Sequence, residues 1–471
     1  MGKPTFFCNL TPCYIQFVMK SINPTTDEVL RHYEEHTEKG AAAIVNAVDK
    51  SWHSWRQTNF PKRSELMTGL AALLRSNKDE LARLISMEMG KVIRESAAEV
   101  EKCAWVCEYY AEHAEGFLMN EAVQTSYSES YVSFRPLGVV LSVMPWNFPF
   151  WQVFRCAAPT LMAGNTMLLK HASNVTGCSL AIEDLFREAG FPDNAFRSLL
   201  LGGSRLEPVI AHPAVKAVTL TGSTPAGRSV AAAAGKNLKK CVLELGGSDP
   251  YIILEDADLE EAAGLCAGSR LLNAGQSCIA AKRFIIAEPV YEEFCSRMRT
   301  NMSKALAGDP FAEETAIGPL ARKDLRDELH GQVMQSVSMG AKLTLGGYVP
   351  EGRGSFYPAT ILEEVTPGMP AYEEELFGPV AAMIRARNEK DAIEIANDTP
   401  FGLGAAIFTR DITRGRILAE ELVEAGSCFV NDFVKSDPRL PFGGIGESGY
   451  GRELSSFGIR EFVNIKTVVI K

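Results

Sequence analysis

The sequence contains no C-x-x-C pair, no tract of Lys and Arg, no internal repeat and no low-complexity segment. Its 11 cysteines follow no ligand or framework spacing. That argues against a zinc ribbon or disulfide scaffold and points to reduced thiols inside a cell. Cys103 and Cys107 sit four apart, the spacing of one buried helix face. With no basic tract and a formal charge of −10, a nucleic-acid partner is not expected. The longest uncharged run, between Arg135 and Arg155, is close to a membrane span in length. It carries Pro136, Pro145, Asn147, Pro149 and Gln152, which a lipid-exposed helix does not tolerate, so no membrane association is expected. Residues 1–20 lack a secretory h-region and cleavage site, and they lack the arginines of a mitochondrial presequence. They are read as a flexible extension. The cytoplasm is the expected compartment, with the mitochondrion as the alternative.

What is present is a long soluble-type chain. Its 471 residues, 46% hydrophobic and 23% charged, suit two or three packed units. Residues 40–122 are rich in Ala, Leu, Glu and Lys with apolar spacings of three and four, and are expected to be helical. Residues 125–135 alternate as a strand does. Short apolar runs follow, VVLSVM, TMLLK, AVTLTG, CVLEL and YIIL, with helical stretches near 176–190 and 225–239. This alternation indicates a parallel, doubly wound sheet. A second series, RFIIA, AKLTL, AAMIRA, AAIFT and SCFVN, indicates a second α/β unit. The terminal FVNIKTVVI is a strand with no local partner, of the kind that completes a sheet elsewhere or in another subunit.

Several residues are candidates for chemistry. Cys278 ends Asn-Ala-Gly-Gln-Ser-Cys and precedes the helical-looking CIAAKR. A thiol at a helix N-terminus is held nearer its thiolate form, although a lone cysteine is more often structural. Glu244 closes the strand CVLEL, where open α/β sheets bind ligands. It suits a general base or, equally, a capping or ion-paired acid. In Pro145-Trp-Asn-Phe-Pro149 two prolines fix the backbone around Asn147. An amide held this way donates to an oxyanion without reorganising; the alternative is a rigid core loop. Thr221-Gly-Ser-Thr-Pro-Ala-Gly227 follows a strand and opens a helix, a setting for phosphate, but it is not G-x-G-x-x-G. His32-Tyr-Glu-Glu-His36 spells a zinc-peptidase motif. It lacks the long helix and a third ligand downstream, so no metal is expected.

Read in order, PWNFP, TGS, ELGG, GQSC, ELFGPV and PFGG resemble the aldehyde dehydrogenase superfamily from about Ser21 to Lys471, with the bacterial-type succinate-semialdehyde dehydrogenases nearest. The resemblance implies two doubly wound α/β domains, a Rossmann-variant cofactor domain (21–122 and 143–245) and a catalytic domain (246–452). A small oligomerisation β-sheet (123–142 and 453–471) would join subunits into a homodimer or homotetramer. It makes Cys278 the nucleophile, Glu244 the base for the deacylating water and Asn147 the oxyanion amide. It places NAD or NADP on Trp146, Lys170, Ser173, Gly222, Ser223, Leu245, Glu375 and Phe377. NAD-strict members carry Glu where Ser173 stands, so NADP should be accepted.

For the substrate, Arg155 matches an arginine that such enzymes place six residues after PWNFP, and it is expected to read a distal carboxylate. Ser436 matches a serine ahead of PFGG. A second arginine of some members falls on Leu272, so Arg270 or Arg439 is expected to compensate. Succinate semialdehyde is the expected substrate, with glutarate semialdehyde or another aldehyde as the alternative. A structural role, a CoA-acylating enzyme and a thiol esterase are the competing readings. The joint presence of Cys278, Glu244 and Asn147 argues against the first, and Glu244 against the second. The cofactor residues argue against the third.

Overall fold

The computed structural model describes residues 18–471. Three sheets and an N-terminal hairpin organise the chain. In the first sheet, Phe196–Ser198, Thr166–His171, Val139–Met144, Val215–Thr221 and Lys240–Glu244 run parallel, in that spatial order. Its strands are apolar on both faces because helices cover both. Val140, Met167 and Leu169 point into one core, while Val139, Leu141 and Leu168 point into another. Each such fully buried side chain contributes about 1.5–3 kcal/mol. The second sheet is built likewise around Pro250–Ile253 and Arg283–Ala287 and has seven strands, all parallel except the edge strand Lys342–Leu345. Both expected strand series are there, except that YIIL, expected to end the first, is the strand Pro250–Ile253 inside the second sheet. The strand Thr360–Glu363 has no counterpart among them: it is only four residues long.

The helical region comprises Glu38–Trp55, Phe60–Ser76, Lys78–Met89 and Ile93–Phe117. The Thr37 and Asn59 side chains cap the first two, accepting the N–H groups of Gly40 and Lys62. Among the described residues no helix is long and apolar enough to cross a membrane, and the run after Arg135 is a buried strand, a loop and the helix Trp151–Met162.

The third sheet resolves the orphan strand. Val463–Ile470 pairs antiparallel with Glu129–Pro136 in the same chain, in register from Val463 opposite Pro136 to Ile470 opposite Glu129. Four boundaries differ from expectation. Glu121–Ala122, expected at the end of the helical region, pairs with Glu129–Pro136 in this sheet. Val139–Met144 belongs to the first sheet, paired with Thr166–His171 and Val215–Thr221, so the small-sheet segment stops at Pro136 and not at 142. Gly449–Tyr450, expected in the catalytic unit, lies antiparallel to Lys240–Glu244 and closes the first sheet's edge. Val18–Ile22 pairs with Val29–Glu34, with Met19 buried, so the end of the proposed 1–20 extension is folded; residues 1–17 lie outside the described residues. The H-x-x-E-H spelling runs off that second strand and not along a helix. His36 Nδ1 accepts the Leu200 N–H. Among the described residues no cluster of His, Cys, Asp and Glu could hold a metal.

Candidate active site

The site forms where the C-terminal ends of the first sheet's strands face the second unit. PWNFP follows Val139–Met144, TGS follows Val215–Thr221 and Glu244 ends Lys240–Glu244. Across from them lies the loop carrying Cys278. Leu272–Gly275 is a kinked turn with Asn273 and Ala274 in left-handed conformation. Gly275 has φ +73°, and a Cβ there would lie 2.2 Å from the Gly378 carbonyl oxygen, so only glycine fits.

Side chains from several elements hold this loop. Asn147 Nδ2 donates to the Gln276 carbonyl at 3.1 Å, which leaves its second N–H available. Asn273 Nδ2 donates to the carbonyls of Asn147 and Gln276, and Glu95 accepts the Asn273 N–H. Buried Lys282 donates to the carbonyls of Ser277, Cys278 and Ala280 and pairs with Glu375 at 3.3 Å. CIAAKR is therefore not a helix: turn and extended chain lead into Arg283–Ala287. The carbonyls that a helix would give to its own N–H groups go to Lys282 instead. Cys278 thus has no helix dipole. Burial pushes its thiol up to about 12, while Arg155 and Lys282 pull the other way.

Two cavities meet at Cys278. The larger, about 580 Å³, is lined by Trp146, Asn147, Gly222, Ser223, Leu245, Glu375 and Phe377 together with Cys278. The rings of Trp146 and Phe377 meet edge to face at 5.7 Å. Ser223 starts the helix Thr224–Lys236, yet its side chain makes no cap bond. Close packing of Gly227 on Leu245, 2.5 Å from where a Cβ would sit, brings this helix start against the strand ends. Glu375 also accepts the Gly247 N–H at 3.2 Å. Lys170 and Ser173 lie outside this cavity, at the end of Thr166–His171 and in the turn after it. Burial lowers the Lys170 ammonium, with Glu35 opposing. A free helix start, a carboxylate beyond it and a half-buried lysine fit a dinucleotide: phosphates on the helix N-terminus and ribose hydroxyls on Glu375 and Lys170.

The smaller cavity, about 190 Å³, is lined by Lys102, Phe148, Trp151, Arg155, Ser436 and Phe442 among others, and again by Cys278. Arg155, expected to read a distal carboxylate, lines this cavity, but within the protein it is not without a counter-charge: its guanidinium ion-pairs with buried Glu453 and donates to Thr221 Oγ1. Arg270 corrects a second expectation. It is fully buried beneath the loop, donates to the Gly275 carbonyl at 2.6 Å and lines neither cavity. Arg439 is exposed and paired with Asp437 at 2.6 Å. Ser436 does line the cavity, where its hydroxyl accepts from Lys102 at 2.8 Å. Leu272, in the second arginine's place, also lines it.

Glu244 lines neither cavity. It is buried beside Gly443, where a Cβ would approach its Oε1 to 2.8 Å. Among the described residues neither of its carboxyl oxygens has a hydrogen-bond partner. Burial and then Glu453 push its acid far above the ordinary carboxylate range, against Arg155 and Arg452. Lys102, Lys282 and Glu453 were missed in the sequence. Of these only Lys282 left a signal, a cation in a small, apolar stretch just after the cysteine.

The sequence profile of the aldehyde dehydrogenase family matches residues 15–468. The chain is 48% identical over 450 residues, 96% of this chain and 99% of the relative, to a probable NADP(+) succinate-semialdehyde dehydrogenase of Synechocystis sp.. It is 47% identical, over 95% of this chain and 97% of the relative, to an NAD(P)+ succinate semialdehyde dehydrogenase of Escherichia coli. The crystal structure of succinic semialdehyde dehydrogenase from Streptococcus pyogenes with NADP+ superposes with a TM-score of 0.94 at 38% identity, covering 96% of this chain and 99% of that one. The chain belongs to the aldehyde dehydrogenase family.

Proposed function

We propose that this protein oxidises succinate semialdehyde to succinate with NADP+ or NAD+. The observation that carries the reading is Cys278 standing where a large cavity with a free helix start and a small, partly apolar cavity with its own cation meet. The Cys278 thiol gives its proton to solvent water, the thiolate adds to the aldehyde carbon, and the oxyanion so formed takes the free N–H of Asn147 and the Cys278 backbone N–H. A nicotinamide held by Trp146, Glu375 and Phe377 would supply the acceptor for the hydride that leaves that carbon. The carbon is then a thioester carbonyl on Cys278. Turned from its buried position toward Cys278 and ionised there, Glu244 takes a proton from water, the hydroxide adds to the carbonyl, and the C–S bond breaks to release the acid and restore the thiolate. Trp146, Gly222, Ser223, Leu245, Phe377 and Glu375 position the cofactor, and Lys170 with Ser173 holds its adenosine end.

The similarity to NADP+ and NAD(P)+ relatives and the neutral Ser173 both support use of either cofactor. Residues 21–120 and 139–245, whose sheet Gly449–Tyr450 completes, act as the cofactor domain and 246–448 as the catalytic domain. The small sheet makes the subunit contact of a homodimer or homotetramer, in keeping with its exposed Ile465 and Val469, and the compartment is the cytoplasm. Reduction of NADP+ and NAD+, followed at the nicotinamide absorbance with a panel of aldehydes, tests the reading. A clear kcat/KM preference for succinate semialdehyde over butanal is expected. Absence of turnover, or of that preference, overturns it.

A further inference from the structure

We propose that the Lys102 ammonium, together with the Ser436 hydroxyl, holds the distal carboxylate of the substrate, and that Arg155 acts as a positioning residue behind it. The inference rests on the reading above that the substrate is a dicarboxylic semialdehyde. Lys102 projects from the helix Ile93–Phe117 into the smaller cavity that Cys278 closes. Its Nζ donates to Ser436 Oγ at 2.8 Å and lies 4.3 Å from the centre of the Trp151 ring.

The nearby acids are already engaged. Glu99 pairs with Lys91 and accepts the N–H groups of Phe150 and Trp151. Asp437 pairs with Arg439, and Glu95 accepts the Asn273 N–H. Among the described residues Lys102 forms no ion pair, whereas Arg155 in the same cavity has Glu453 against it. A partly desolvated cation with one neutral partner gains most from an incoming carboxylate. A cation already paired gains little.

Titration gives a second handle. Burial, then Arg155, lowers the Lys102 ammonium to about 8. The charged groups facing it are Glu95 and Glu99 of its own helix, Arg155 of the next, and Lys435 and Asp437 of the loop before PFGG. Below about pH 8 the ammonium is charged and carboxylate binding is strong. Above it the charge is lost, so KM for succinate semialdehyde rises while KM for butanal does not.

The test measures kcat/KM for succinate semialdehyde and for butanal in the wild type, Lys102→Met, Lys102→Arg and Arg155→Met, with both KM values followed across pH. In Lys102→Met the ratio of the two kcat/KM values is expected to fall about 100-fold. Lys102→Arg should restore much of it and move the alkaline rise in KM to higher pH, because a guanidinium stays charged. Arg155→Met should lower both substrates together and leave the ratio in place. An unchanged ratio in Lys102→Met, or a ratio that collapses in Arg155→Met alone, overturns the proposal while the wild-type preference keeps the substrate reading intact. A wild type without the preference overturns both.

Discussion

Glu244 holds an acid where neither oxygen finds a partner among the described residues, and that arrangement costs stability in a pH-dependent way. Its folded pKa lies far above the ordinary value because of burial, then Glu453. At about pH 4 folded and unfolded chains both keep the proton, and the group has no effect. As pH rises past that range the unfolded chain releases its proton while the folded chain retains it, so folding becomes progressively less favourable. Glu244→Gln should therefore raise the melting temperature more at about pH 8 than at about pH 5, as thermal unfolding at the two values will show. The same variant should give a burst of NAD(P)H followed by near-arrest in rapid mixing, because deacylation needs the base and hydride transfer does not. Ser173 permits a different charge test. Ser173→Glu should weaken NADP+ by roughly tenfold or more and leave NAD+ nearly unchanged, since a carboxylate opposes the 2′-phosphate alone. Equal losses measured in parallel KM titrations would remove Ser173 from the adenosine site.

At the scale of elements, the catalytic loop shows what local sequence does and does not reveal. PWNFP, TGS and ELGG were legible because each is a short, composition-marked segment at a strand end, and chain direction alone brings parallel strand ends together. CIAAKR looked helical because Ala, Ile and Lys are helix-compatible. Three carbonyls given to Lys282 override that preference, and no local pattern records such a contact. The ion pair of Arg155 with Glu453 is hidden for the same reason: its partner lies far along the chain, and no local pattern joins the two. The strand Thr360–Glu363 is buried throughout but only four residues long, too short for a period to appear. The loop's dependence on backbone shape is testable. Gly275→Ala puts a Cβ 2.2 Å from the Gly378 oxygen at φ +73°. It should cost about 1–3 kcal/mol in chemical denaturation and most of the turnover.

The whole molecule is tied by the small sheet, whose outer strand Val463–Ile470 leaves Ile465 and Val469 exposed on one face while its backbone is paired. Ile465→Asp with Val469→Asp should keep the intrachain pairing and lower the particle mass in size-exclusion chromatography with light scattering, with far-ultraviolet circular dichroism unchanged. An unchanged mass would place the subunit contact elsewhere.

That pairing also sets a clock. Ser128 and Ile470, bonded at 2.8 Å, stand 342 positions apart. At about 5–20 residues per second, a ribosome takes roughly 17–70 s to deliver the second after the first. Throughout that interval Glu129–Pro136 presents an unfilled edge, the kind of surface that recruits other chains. A polysome carries many such edges close together, so nascent neighbours compete with the chain's own late strand. Slow translation of the segment between them would lengthen the exposure, and a chaperone that covers strand edges would matter most in that window.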